Sequence, residues 1–178
     1  MKKGFAIILF CSFSAAFGVA TFSYFPQNVC KKMDKVVRKT FGKESQYFSI
    51  ETPDSLKINH EVYKVIEGDS VQGFTVATRA LGCQLGGCNK PRKDSLAFEQ
   101  FFFVTIFDHL KRIKKVRILE YTSNHGYEIA NKGWLKQFTK EGHFEVGKNI
   151  DGISGATISV NSITKNVNFQ RQIINQVD

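Results

Sequence analysis

Apolar and polar positions alternate in two neighbouring stretches after residue 60. Glu61–Ile66 alternates in the manner of a half-buried strand, and Val71–Ala80 places Phe74 and Val76 on one face of a second strand. Gly68 lies between the two stretches and is a typical turn residue. The pattern therefore predicts a β-hairpin.

The next apolar stretch, Phe98–Phe107, is nearly continuous and predicts a central strand that is covered on both faces. Asp108–Arg112 predicts a turn, and Ile113–Tyr121 predicts the following strand. Trp134 is interpreted as a core residue on a helix that also carries Leu135 and Phe138. The stretch 48–59 contains a proline and is predicted to be an irregular connection.

Helical spacing occurs at both ends of this strand-rich region. Cys30–Phe41 is a basic amphipathic stretch that Gly42 is able to end. Near the C-terminus, apolar residues return at helix spacing at Val160, Ile163 and Val167. The fold class expected is α+β, with one small mixed or antiparallel sheet and flanking helices. The predicted division is an anchor or signal segment at 1–28, a helix and linker at 29–60, and a domain at 61–178.

The N-terminus combines two lysines with an uncharged run, Gly4–Phe25, that is long enough to span a bilayer. The run is longer than the core of a usual signal peptide, so a retained transmembrane helix is favoured over a cleaved signal. Cleavage near Gly18–Ala20 is the alternative. Lys31 and Lys32 follow the run, and by the positive-inside rule they do not favour export of the C-terminal part.

The chain of 178 residues has a formal charge of +9, and its basic residues crowd 31–43 and 111–117. Such a charge raises the possibility of nucleic-acid binding, but no binding motif is present and the basic runs are not organised around aromatic residues. No nucleic-acid partner is predicted. Anionic lipid, an acidic protein partner or plain solvation each explain the charge.

Cys83 and Cys88 lie in a glycine-rich stretch. Their spacing matches neither a Cys-x-x-Cys redox motif nor a c-type haem site. In an oxidising compartment a local disulfide between them is expected, and a redox-active dithiol or a pair of free thiols are the alternatives. The other ligands of a tetrahedral metal site are missing, so no metal is predicted.

The stretch with the most specific chemistry runs from Asp151 to Thr157, with the sequence Asp-Gly-Ile-Ser-Gly-Ala-Thr. A threonine hydroxyl is a poor nucleophile without activation, and no histidine or cysteine is adjacent, which favours modification by a separate enzyme. Gly155 and Ala156 keep the surroundings of Thr157 small, and Gly155 permits backbone conformations that other residues avoid. Thr157 is predicted to lie at or near a helix N-terminus, where amides and the helix dipole favour a phosphate.

This stretch resembles the attachment sequence of the FMN-binding domain family, which has the pattern D-x-x-[ST]-G-A-T. The family includes flavin subunits of the sodium-translocating NADH:quinone reductase and of Rnf-type complexes, and flavin domains of nitrous-oxide-reductase regulators. The resemblance implies FMN joined by a phosphoester bond to Thr157. The resemblance also implies a cofactor-binding role for the other matching positions: Asp151, Ser154, Gly155 and Ala156.

The resemblance also implies partners and a location. A flavin transferase would attach the FMN, and other redox subunits or electron carriers would exchange electrons with it. The flavin domain would face the periplasm or the outside of a bacterial cytoplasmic membrane. The resulting interpretation is a membrane-anchored electron-transfer flavoprotein, a subunit or carrier more than a stand-alone enzyme, and no catalytic residue is assigned.

The loop Asn124–Glu128 is the hypothesised pocket for the isoalloxazine ring. Its cofactor-binding residues are Gly126, Tyr127 and Glu128; Tyr127 is expected to stack on the ring, and His125 to tune its proton balance near neutral pH. The other histidines are scattered and are interpreted as solvated: His60, His109 and His143.

Two alternatives stand beside this interpretation. The first is a flavin-linked dithiol/disulfide oxidoreductase that uses Cys83 and Cys88. The second is a cofactor-free, membrane-anchored binding or assembly protein in which the motif is vestigial.

Overall fold

A five-stranded antiparallel sheet organises the computed structural model, and its strands lie side by side in the order of the chain. The structure describes residues 25–53, 59–84, 98–122 and 125–177. Each strand pairs with the one before it, so the sheet is a simple meander. The strands are β1 Gln46–Ser49, β2 His60–Glu67, β3 Ser70–Gln84, β4 Phe98–Asp108 and β5 Ile113–Tyr121.

Helices cover both faces of the sheet. One face packs against α1, and the other packs against α3 and the short helical segments that precede it. The helices are α1 Gln27–Phe41, α2 Lys132–Leu135 and α3 Thr157–Asn175, with 3-10 turns at Tyr127–Ala130 and Lys136–Thr139.

Strand β4 shows why its sequence is almost continuously apolar. Phe101, Phe103 and Phe107 point into the core beneath α3, whereas Val104 and Ile106 point into the core beneath α1. Successive side chains of a strand point to opposite faces, so a strand that is buried on both sides needs apolar residues at nearly every position. The prediction of a doubly covered strand is confirmed.

Most predicted elements have the predicted type. The hairpin of β2 and β3, the strands β4 and β5, the helix α1 and the helix after the motif are all present, and the sheet is antiparallel. The predicted irregular connection at 48–59 is wrong at its start, because Phe48 and Ser49 belong to β1. A strand of four residues, paired only with β2, carries too little periodicity to be read from sequence.

The predicted membrane segment falls almost entirely on residues 1–24, which lie outside the described part. Its last residue, Phe25, is buried, and its ring contacts Phe102 of β4 edge-on, with 5.5 Å between centroids. In the four described ranges, no helix combines the length and apolarity needed to cross a bilayer. Cys88 and part of the Asn124–Glu128 loop also lie outside these ranges, as does the side chain of Cys83.

The basic run of β5 lies at an edge of the sheet. Lysines on an edge strand oppose pairing with another chain. Lys115 donates to the hydroxyl of Thr40 at 2.7 Å. Burial lowers the pKa of Lys115, and the neighbouring charges of Arg117, Lys114 and Lys39 lower it further. These cations therefore form one cluster, which joins the end of α1 to the outer strand.

His60 corrects the interpretation of the scattered histidines as solvated. His109 and His143 are exposed, but His60 is buried, with its Nδ1 2.8 Å from the hydroxyl of Thr78. The same hydroxyl oxygen accepts from the amide of Gln170 at 2.6 Å, so its hydrogen is available to the imidazole. Burial disfavours the charged imidazolium and lowers the pKa of His60 to about 4.

This buried histidine predicts a stability that falls in acid. The pKa of His60 is about 4 in the folded state against an ordinary 6.5, so below pH 6.5 the unfolded chain binds a proton that the folded chain does not. The free energy of unfolding should therefore fall between pH 6.5 and 4, with up to about 3 kcal/mol from this residue. His60→Asn keeps a polar partner for Thr78 but no titrating ring. Urea unfolding across this range should show a flatter loss in the variant, and an equally steep loss would assign the effect to other groups.

Gly73 predicts a severe packing defect. A Cβ at this position would lie 2.1 Å from the carbonyl oxygen of Phe107 and 2.9 Å from the ring of Phe41, and a backbone oxygen in a paired strand has no room to move. Gly73→Ala should lower the free energy of unfolding by at least about 2 kcal/mol, as measured by urea denaturation. The matched control is Gly152→Ala, because a Cβ there meets nothing within 4 Å. Equal stability of the two variants would contradict the steric argument.

Candidate functional site

The motif forms a tight turn that leads directly into α3. The amide of Ala156 donates to the carbonyl of Ile153 at 3.1 Å, and the amide of Val160 donates to the carbonyl of Ala156 at 2.9 Å. Gly155 has φ +80°, in the left-handed region that favours glycine. Thr157 is the first residue of α3. The predictions of a glycine turn and of Thr157 at a helix start are both confirmed.

Burial within the turn is divided sharply between neighbouring residues. Ala156 is fully buried in the core beneath α3, whereas Ser154, Gly155 and Thr157 are exposed. A Cβ on Gly155 would meet nothing within 4 Å, so the protein needs glycine there for its φ angle rather than for space inside the fold. Ala156 thus fixes the turn, and Thr157 is presented to solvent.

The N-terminus of α3 suits an anionic group. Ala156 is the N-cap, no side chain caps the helix, and its first turn carries no acidic residue. The first amides of a helix lack partners within the helix, and the helix dipole places partial positive charge there. A phosphate beside Thr157 would find donors and a favourable field, so these residues fit a phosphoester.

Two hydrogen bonds restrain the backbone of Asp151. Its amide donates to Oε1 of Gln137 at 2.9 Å, and its carbonyl accepts from the indole of Trp134 at 2.8 Å. The carboxylate itself is exposed. Trp134 was predicted as core and is buried, but its bond to the motif was missed. The available signal was chemical, since a buried indole N–H needs an acceptor.

A second connection runs from the end of β5 to the first turn of α3, just after the motif. The hydroxyl of Tyr121 lies 2.8 Å from Oγ of Ser159 and 2.8 Å from the carbonyl oxygen of His125. Ser159 is buried in the first turn of α3, two residues after Thr157. Sequence reasoning placed Tyr121 only as a strand end, and nothing in its spacing predicted this role.

The hypothesised ring pocket begins with another left-handed glycine. Gly126 is buried with φ +82° and precedes the 3-10 turn, whose Ile129 is buried in the core. Tyr127 is 60 % exposed, and Glu128 is exposed as well. The contacts of the described residues link this loop to α3 through Tyr121 rather than through Tyr127. That these side chains bind a flavin stays a prediction.

The structure also has a cavity far from the motif. It measures about 570 Å³ and lies at the β4–β5 turn, at the opposite end of β5 from Tyr121. Thr40, Asp108, Arg112 and Lys114 are among its lining residues. Within the described ranges, His, Cys, Asp and Glu side chains form no group that could hold a metal ion.

Comparison with protein families finds a match. Residues 100–171 match the model of the FMN-binding domain, from within β4 to within α3. The matched segment contains the complete motif, the 3-10 turn after Gly126 and the Trp134 segment. The family resemblance of the sequence is therefore confirmed. No curated protein matches the chain.

The hydrogen bond between the Asp151 amide and Gln137 predicts that removing the Gln137 side-chain amide loosens the turn locally. Gln137→Leu removes the acceptor of the Asp151 amide but keeps a side chain of similar size. Hydrogen exchange of that amide should rise by about three- to tenfold, the equivalent of one net hydrogen bond. Gln172→Leu, on the exposed face of α3, is the control. Unchanged exchange in Gln137→Leu would show that the bond does not restrain the turn.

Proposed function

Because residues 100–171 belong to the FMN-binding domain family, we propose that this protein is an electron-transfer flavoprotein whose FMN is joined by a phosphoester bond to Thr157. One observation carries the proposal. The threonine of a complete Asp-Gly-Ile-Ser-Gly-Ala-Thr sequence is the exposed first residue of a helix whose N-terminus has no side-chain cap. The hydroxyl is accessible, and the amides next to it are suited to the phosphate that it would carry.

The surroundings of Thr157 favour attachment by a separate enzyme. The carbonyl of Thr157 accepts from Asn161 at 2.9 Å, a bond that restrains the backbone and leaves the hydroxyl uninvolved. A hydroxyl needs a nearby base to attack phosphorus, and in sequence no histidine or cysteine adjoins Thr157. A flavin transferase would supply that base. The exposed carboxylate of Asp151, on a clamped backbone, offers such an enzyme a fixed feature to recognise.

A bound FMN supplies the redox chemistry by exchanging one or two electrons, and the residues of this chain hold it and adjust its environment. The first turn of α3 would bind the phosphate. The exposed ring of Tyr127 is available for stacking on the isoalloxazine, with Gly126 and Glu128 beside it. His125 is near enough in sequence to influence the charge of the same pocket.

Membrane anchoring forms the second part of the proposal. The uncharged run Gly4–Phe25 would cross a bacterial cytoplasmic membrane and leave the flavin domain on the periplasmic or outer side. Phe25 packs on Phe102, whose pairing partner in β5 is Glu120, next to Tyr121. Phe25, the last residue of the run, therefore lies at the end of the sheet that also holds the motif, but on the opposite face. This supports electron exchange with other redox subunits or carriers at the membrane.

No observation on the described residues favours either alternative function. The dithiol hypothesis rests on Cys88 and on the side chain of Cys83, both outside the described residues. The hypothesis of a cofactor-free assembly protein requires a vestigial motif, whereas the turn, the helix start and the exposed hydroxyl all retain the features that attachment needs.

Covalent attachment is tested by changing the acceptor. The full chain is produced with a flavin transferase, and intact mass and in-gel flavin fluorescence are measured. Thr157→Ala should lose all covalent flavin because no oxygen remains to form the ester, and Thr157→Ser should retain part of it. Thr139→Ala, at another exposed threonine, should be labelled like the parent. Covalent flavin in Thr157→Ala, or none in the parent, would overturn the assignment.

A further inference from the structure

The hydroxyl of Tyr121 joins two elements that are separate in sequence. It lies 2.8 Å from the carbonyl of His125 and 2.8 Å from Oγ of Ser159. A carbonyl only accepts, so Tyr121 must donate its one hydrogen to His125. Ser159 then donates to the tyrosine oxygen. The result is a directed chain from Ser159 through Tyr121 to His125.

Two members of this hydrogen-bonded chain, Tyr121 and Ser159, have little freedom to move. The ring of Tyr121 packs against Phe101, with 5.4 Å between centroids, and the two residues are paired across β4 and β5. A Cβ on Gly82 of β3 would lie 3.5 Å from the hydroxyl oxygen, so the sheet bounds the tyrosine closely. Ser159 is fully buried in the first turn of α3.

The hydrogen-bonded chain from Ser159 to His125 connects the two parts of the proposed flavin site. Ser159 lies in the same helical turn as Thr157, and His125 immediately precedes the buried left-handed Gly126 and the exposed Tyr127. A shift of the loop that breaks the bond to His125 removes this acceptor from a half-buried tyrosine hydroxyl. The loop is thus fixed relative to the start of α3 by one side chain of the sheet.

We propose that Tyr121 is a positioning residue that holds the Gly126–Glu128 loop in register with the attachment threonine and so sets where the flavin ring lies. This inference rests on the proposed function. A phosphoester at Thr157 fixes only the phosphate end of FMN, so the ring is located by non-covalent contacts. Those contacts determine the redox potential of the flavin.

The test uses Tyr121→Phe, which removes the hydroxyl and keeps the ring packing on Phe101. The full chain is flavinylated with a transferase, and hydrogen exchange, covalent labelling and the midpoint potential are measured. Labelling should stay close to that of the parent, because Tyr121→Phe changes neither the hydroxyl of Thr157 nor any residue of the Asp151–Ala156 turn. Exchange of the hydrogen-bonded amides of Ile129 and Asn131 should rise by about three- to tenfold, and the potential should shift.

Two further variants separate positioning from general loosening. Ser159→Ala removes the donor to Tyr121 but leaves the bond to His125, so it should loosen the first turn of α3 more than the loop. Tyr47→Phe removes a hydroxyl that bonds Asp34 at 3.2 Å on the α1 side of the sheet. It should change neither the loop exchange nor the potential, and a shift as large as that of Tyr121→Phe would overturn the positioning role.

The remaining outcomes distinguish the two proposals. Unchanged loop exchange in Tyr121→Phe would overturn the coupling, and exchange that rises while the potential stays at the parent value would overturn the positioning of the flavin. The loop exchange is measurable in protein without flavin. A parent that accepts no covalent flavin would therefore sink the proposed function, whereas the coupling of loop and helix would still be decided.

Discussion

The packing of α3 against the sheet is the constraint on which the rest of the structure depends. Its buried face begins at Ala156, continues through Val160, Ile163 and Val167, and ends near Ile174, and these residues share one core with the aromatic side chains of β4. Burying such side chains contributes on the order of 1.5–3 kcal/mol each, far more than any contact of the exposed turn. The position of this face determines that the helix starts with Thr157 outward and Ala156 inward.

Buried polar groups beneath α3 add hydrogen bonds, which are directional, to this apolar packing. Gln170 is fully buried and donates to Thr78 of β3, whose hydroxyl also meets His60 of β2. Apolar contacts tolerate small sliding movements, but a buried amide that loses its partner costs roughly 1–3 kcal/mol. This network therefore favours one register of α3 along the strands. The network also lowers the free energy of unfolding in acid. Burial keeps the imidazole of His60 neutral at a pH at which it would be protonated in water.

The motif is held by side chains from three directions, and each acts on a different residue. Ala156 is buried from below, Trp134 and Gln137 hold the backbone of Asp151, and Tyr121 bonds Ser159 from the end of β5. The atoms suited to chemistry, the hydroxyl of Thr157 and the carboxylate of Asp151, remain in solvent. The proposed attachment by a transferase would need this combination of a restrained backbone and exposed functional groups.

Local patterns were sufficient for most element types and for the glycine turn before Thr157. Alternation defined the hairpin, continuous apolarity defined β4 as doubly covered, and the small residues before Thr157 predicted a glycine turn at a helix start, because each of these depends on neighbours within a few residues. Only the tertiary structure decided the rest. The short strand β1 exists through its pairing with β2, and His60 lies beneath α3, where the ring of Phe169 contacts it. Tyr121 reaches Ser159 and Trp134 reaches Asp151 across separations of 38 and 17 residues. No short-range pattern records which distant side chains meet, since that depends on how the helices close over the sheet.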